Sequence, residues 1–147
     1  MDFATTVKLH IYETISRTTQ APSTAEVATA LNSPLEDVQT AYAQLAGMRL
    51  LVPEPGDPSR IRMAPPFSGI ETRHLARVAG KDYYANCAWD AFGIAAALGQ
   101  DAEIFSTCPD CGESLSYQIQ DGRPLAHDSV AHFAVPAVQW WQDIIYT

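Results

Sequence analysis

The chain has 147 residues, 47% of them hydrophobic, and a formal charge of −8, which is about one domain's length with enough apolar side chains for a core. Its net negative field opposes nucleic acid and anionic lipid as partners. The longest apolar run, residues 91–99, falls far short of the roughly 20 residues a membrane-spanning helix needs, and the amino terminus lacks the layout of a signal peptide; a cytoplasmic protein with no membrane partner is expected. Three cysteines, two of them three positions apart, favour reduced thiols or metal ligands over a disulfide framework.

In chain order, Val7, Leu9, Ile11, Tyr12 and Ile15 predict an amphipathic helix over residues 5–18. Ser23 with Glu26 and Ser33 with Glu36 both have capping-box spacing, so helices are expected to begin near Thr24 and Pro34, the second ending at Gly47. Residues 50–53 and 60–63 read as two strands around a turn rich in Pro and Gly. Three helices and a hairpin make residues 1–64 a winged-helix-like region. Residues 18–48 contain no Lys or Arg, however, so the helix that would enter DNA lacks cations for phosphates. A structural or dimerising winged helix is expected, compatible with a homodimer, and its wing residues Arg60 and Arg62 read as solvated charges.

Pro65 and Pro66 mark a boundary. Beyond it, residues 74–78 and 82–85 read as strands, 87–98 as a helix closed by Gly99, and 102–106, 115–119 and 130–135 as further strands, with an ambiguous tail over 138–146. The predicted class is α+β, with residues 65–147 forming a mixed-strand domain around a central helix.

Candidate chemistry begins at Asn86. As a helix cap, it places Cys87 in the first turn, where the helix dipole favours a thiolate. Asp90 follows one turn later on the same face, within reach as a proton donor or acceptor; the competing reading is a buried, inert Cys87. Cys108-Pro-Asp-Cys111-Gly112 has the form of half a zinc ribbon. Closing it around zinc or copper requires further ligands from Cys87, His10, His74, His127, Asp128, His132 or a partner chain, and the competing reading is an unliganded pair or a redox disulfide. His127-Asp128-Ser129 is read as a solvated loop, since adjacent residues do not converge as a triad does. His132 is read as a core residue of an apolar strand, and Trp89, Phe133, Trp140 and Trp141 as core or pocket wall.

The run from Tyr84 through Cys87, Asp90 and Gly99, followed by residues 102–108, resembles the core of bacterial organomercurial (alkylmercury) lyases. The resemblance extends back through Ala64-Pro-Pro-Phe-Ser68 and the helical front, and forward to His132-Phe-Ala-Val-Pro136 and Trp140-Trp141. It implies protonolysis of a carbon–mercury bond, with Cys87 matching the first cysteine and Asp90 the aspartate. No cofactor is implied: mercury arrives with a small organometallic substrate, remains as the product ion and passes to small thiols. This sequence departs from the pattern at the second cysteine, whose place falls on or near Ser129; no Cys follows Cys111. The chain also stops at Thr147, where such lyases generally continue, so a shortened domain is expected. Outside this resemblance, the competing function is a non-catalytic metal-binding or metal-sensing protein using Cys108 and Cys111.

Overall fold

A computed structural model describes residues 2–146. Three helices, α1 (Phe3–Thr18), α2 (Thr24–Ala30) and α3 (Leu35–Gly47), precede the hairpin strands β1 (Val52–Glu54) and β2 (Asp57–Ala64). There follow β3 (Phe67–Ser68), β4 (His74–Val78), β5 (Lys81–Ala85), helix α4 (Ala88–Leu98), β6 (Ala102–Thr107), β7 (Ser114–Gln120), β8 (Arg123–Pro124) and a 3-10 turn at Ala137–Gln142. The expected α+β class is the observed one. All eight strands form a single antiparallel sheet in the order β1-β2-β3-β5-β4-β6-β7-β8. Among the described residues no helix is long and apolar enough to cross a membrane.

The helices form for the reasons legible in their sequences. In α1, Ala4, Val7, Ile11 and Ile15 are buried on one stripe, and Asp2 caps the helix by accepting the Thr5 N–H at 2.8 Å. At α2 the capping box is complete, with Ser23 and Glu26 satisfying each other's backbone N–H groups. The second expected box does not form. Pro34 is itself the N-cap of α3, and the Ser33 hydroxyl donates instead to the Leu31 carbonyl.

The proline pair does not interrupt the sheet. Pro65 and Pro66, joined by a cis peptide, turn the chain from β2 into β3, where Ala64 faces Phe67. One apolar core runs from α1–α3 through the sheet to Ala91, Ile94 and Ala95 of α4. Tyrosine hydroxyls bond the layers: Tyr12 donates to the Pro65 carbonyl and Tyr83 to the Ser16 carbonyl, each at 2.7 Å. Helix α4 packs across β4, β5 and β6, and Gly93 lets it approach the prolines; a Cβ there would stand 3.1 Å from Pro66 Cβ.

Two expectations fail beyond β7. Residues 130–135 form no strand, and His132 is exposed rather than in the core. The sheet stops at the two-residue β8, and the segment beyond it has no buried face to drive pairing. Arg62 also differs from its reading as a solvated charge: it is only 21% exposed and pairs with Glu54 at 3.6 Å.

Candidate functional site

The site lies where β5 leaves the sheet and α4 begins. Ala85, the last residue of β5, is fully buried, and its carbonyl accepts the Thr72 hydroxyl. The same hydroxyl reaches the His74 carbonyl at 2.9 Å and accepts the His74 N–H at 3.1 Å. Thr72 thus ties the exit of β5 to the start of β4, a role with no signal in its sequence context. Asn86 does not cap the helix. Its side-chain amide donates to the Ile144 carbonyl at 3.2 Å, drawing the carboxyl-terminal segment toward the site.

Cys87 takes the capping position, with extended backbone (φ −141°, ψ 173°), and its carbonyl accepts the Ala91 N–H. Its thiol points one turn along α4 and donates to Asp90 Oδ2 across 3.4 Å. Pairing of these two side chains is what their spacing predicts, but their electrostatics are the reverse of the expectation. Burial, seconded by the negative charge of Asp90, pushes the Cys87 thiol up to about 11. Burial also raises the Asp90 carboxyl, partly offset by the thiol's hydrogen bond. Desolvation and a like charge therefore outweigh the helix dipole, and both groups are shifted toward their neutral forms.

This predicts how Cys87 reacts with iodoacetamide. Followed by mass spectrometry of the Cys87 peptide, the rate should rise with pH toward a midpoint near 11, and Asp90→Asn should bring the midpoint down by removing the charge while leaving the burial. A wild-type midpoint at or below 9 would contradict the assignment.

Asp90 opens onto a groove of about 300 Å³ lined also by Trp89, Phe92, Gly93 and Ala96. Its walls are apolar, and its flanks are built from distant parts of the chain. On one side the Tyr117 ring lies 5.3 Å from Phe92 and 4.6 Å from the His127 ring. On the other, Trp89 meets Phe133 at 5.6 Å, and Phe133 meets Trp140 at 5.3 Å. Trp89 and Phe133 are about half exposed, so this aromatic group is a surface wall and not core. Ser129 sits between these two anchor points, exposed, its N–H donating to His127 Nδ1 at 3.1 Å. Among the described residues no hydrogen bond joins Ser129 to Cys87 or Asp90.

Cys108 and Cys111 occupy the β6–β7 turn, Cys108 half-buried and Cys111 exposed. Hydrogen bonds to the Cys108 sulfur from the N–H groups of Cys111 and Asp110, and from the Cys111 thiol, hold its pKa below the usual thiol range. Among the described residues no group of three or more His, Cys, Asp or Glu side chains is placed to hold a metal ion. The ligands expected to complete a zinc or copper site around this pair are therefore not assembled.

The profile of the alkylmercury lyase family, MerB, matches residues 67–147. The chain belongs to the alkylmercury lyase family. Its fold is similar to the crystal structure of the mercury-bound form of MerB2, with a TM-score of 0.67 and 23% identity over 86% of this chain. The chain spans 60% of the length of that protein. No curated protein matches. In this family member the three-helix front lies outside the matched segment, whereas Cys87, Asp90, both cysteines of the turn and Ser129 lie within it.

Proposed function

We propose that this protein cleaves carbon–mercury bonds by protonolysis, with Cys87 as the mercury ligand and Asp90 as the proton carrier. The observation that carries the reading is the Cys87 thiol held against Asp90 Oδ2 at 3.4 Å, at a groove whose apolar walls suit an alkyl or aryl group. Membership of the alkylmercury lyase family supports it.

The raised pKa values give each group its task. Soft sulfur takes soft mercury: the Cys87 sulfur bonds to the metal of R–Hg–X and X departs as an anion. The thiol proton moves to Asp90, whose burial makes it a better base than an exposed carboxylate. Asp90 then delivers that proton to the carbon, the electron pair of the C–Hg bond becomes the new C–H bond, and R–H leaves. Hg(II) remains on the Cys87 sulfur, and a small thiol from solution supplies the second thiolate. Ser129 stands in the place of a second cysteine, on the segment held between Tyr117 and Trp89. Residues 65–147 carry the chemistry and residues 1–64 serve as the platform that buries one side of the sheet. Free thiols suit a reducing compartment, so the cytoplasm is the proposed location.

Release of benzene from a phenylmercury salt tests this reading. Turnover should rise with added 2-mercaptoethanol, and Ser129→Cys should reduce that dependence at least several-fold by supplying the second sulfur from within the chain. An unchanged thiol dependence in Ser129→Cys would remove Ser129 from the site.

A further inference from the structure

The reaction at Cys87 leaves the other two cysteines unused. They share one tight turn, closed by the Cys108 N–H donating to the Glu113 carbonyl at 2.8 Å and the Gly112 N–H donating to the Cys108 carbonyl at 3.0 Å. Gly112 takes φ +75°, a conformation that side chains disfavour. This closure sets Cys108 and Cys111, three positions apart, on the same tight turn, with Cys108 half-buried and Cys111 open to solvent.

The ligand count selects the ion. Zinc asks for four donors and hard cations for oxygen, and among the described residues no third His, Cys, Asp or Glu completes a site here. Soft d10 ions that accept two thiolates need nothing more, and among them Hg(II) is the ion that the proposed reaction releases. Position points the same way. His74 pairs with Ala85 on one side, and its Nδ1 lies 2.7 Å from Ser106 Oγ on the other. The strand ends leading to Cys87 and Cys108 therefore share one end of the sheet, separated by two strand spacings, about 10 Å.

We propose that Cys108 and Cys111 form a second mercury site, a two-coordinate dithiolate that receives Hg(II) from Cys87. Its role as receiver rests on the lyase reading; its affinity for the ion does not. In the transfer, two S–Hg bonds form at Cys108 and Cys111 while the bonds to Cys87 and the small thiolate break. The two protons lost by the turn cysteines balance those regained by Cys87 and the departing thiol. Once one bond has formed the second is intramolecular, so the pair outcompetes single thiols.

The test uses the full-length Cys87→Ala protein, which cannot hold the ion at the first site. The reduced protein receives one equivalent of mercuric chloride in excess 2-mercaptoethanol and is desalted, and mercury per chain is measured by elemental analysis. About one mercury per chain is expected, falling at least tenfold in Cys87→Ala/Cys111→Ser. Because Cys111 is exposed, this double variant should keep its fold, which far-UV circular dichroism checks. Retention undiminished by the added Cys111→Ser change, or no retention by Cys87→Ala, would overturn the proposal. Loss of benzene release by the wild type would instead count against the lyase reading and leave the mercury stoichiometry standing.

Discussion

Asp90→Asn is expected to lower benzene release by a factor of about 10²–10⁴, the usual range for loss of a positioned acid–base group, while binding of the mercurial through Cys87 persists. The same change should make the folded protein more stable at neutral pH. The folded-state pKa of Asp90 is raised by burial, so its contribution to stability is present below the unfolded value of 3.8 and lost as pH rises through the folded value. At neutral pH the buried carboxylate is a net destabilising charge, which the neutral amide removes. Cys87 obeys the same sign at higher pH: its contribution declines between 9.0 and about 11. A variant that is more thermostable, still binds mercurial and is nearly inactive would separate the proton-carrying role from a structural one. Equal loss of stability and activity would contradict it. Thermal melts at pH 7 beside single-turnover product release make the distinction.

Gly69→Ala should give the largest loss of stability of the Gly→Ala changes. A Cβ at Gly69 would lie 1.9 Å from the Ile61 carbonyl oxygen and 2.9 Å from its carbon, atoms of the β2 backbone that cannot swing aside as a side chain can. The Gly69 N–H also donates to the Arg62 carbonyl at 2.8 Å, so relief of the clash breaks this bond. Overpacking against backbone costs about 3 kcal/mol or more, lowering the melting temperature by on the order of 10 °C for a chain of this size. A shift below about 2 °C, on the order of 1 kcal/mol or less, would show that the β2–β3 region yields more readily than its geometry implies.

Much of this architecture was legible in the residues because local signals agreed with the final packing. Ser23 and Glu26 meet in their box, the stripe of Val7, Ile11 and Ile15 is the buried face of α1, and β4 and β5 stand within a residue of their expected limits. Cys87 and Asp90 were legible as a pair because one helical turn separates them. What failed did so where a long-range contact or burial overrode a local preference. Asn86 is a good cap by type, but the Ile144 carbonyl, 58 residues away, engages its amide. A first-turn cysteine suggests an acidic thiol, but the surrounding chain buries it beside a carboxylate. Residues 130–135 have the composition of a strand but lie exposed, with no buried face to hold them against the outer edge of β7. The rings packed against the groove's α4 aromatics come from β7 and the segment after β8, a convergence that no window of sequence displays.

On the proposed reading the helical front is scaffold and the chemistry lies in a few side chains around α4. The acidic groups of the site are held away from their ordinary pKa values in the direction that costs stability when they ionise, a pattern found where function sets the requirement. In the proposed reaction the Cys87 sulfur keeps its proton until the metal displaces it, and Asp90, which already accepts the thiol's hydrogen bond, takes that proton.

The most direct test of that claim is a single-turnover measurement of benzene release from phenylmercury acetate by the wild-type chain and by Cys87→Ala, both with excess 2-mercaptoethanol. About one equivalent of benzene per wild-type chain is expected, with release by Cys87→Ala no faster than in thiol buffer alone. Equal release by the two proteins, or none by a folded wild type that binds the mercurial, would contradict it.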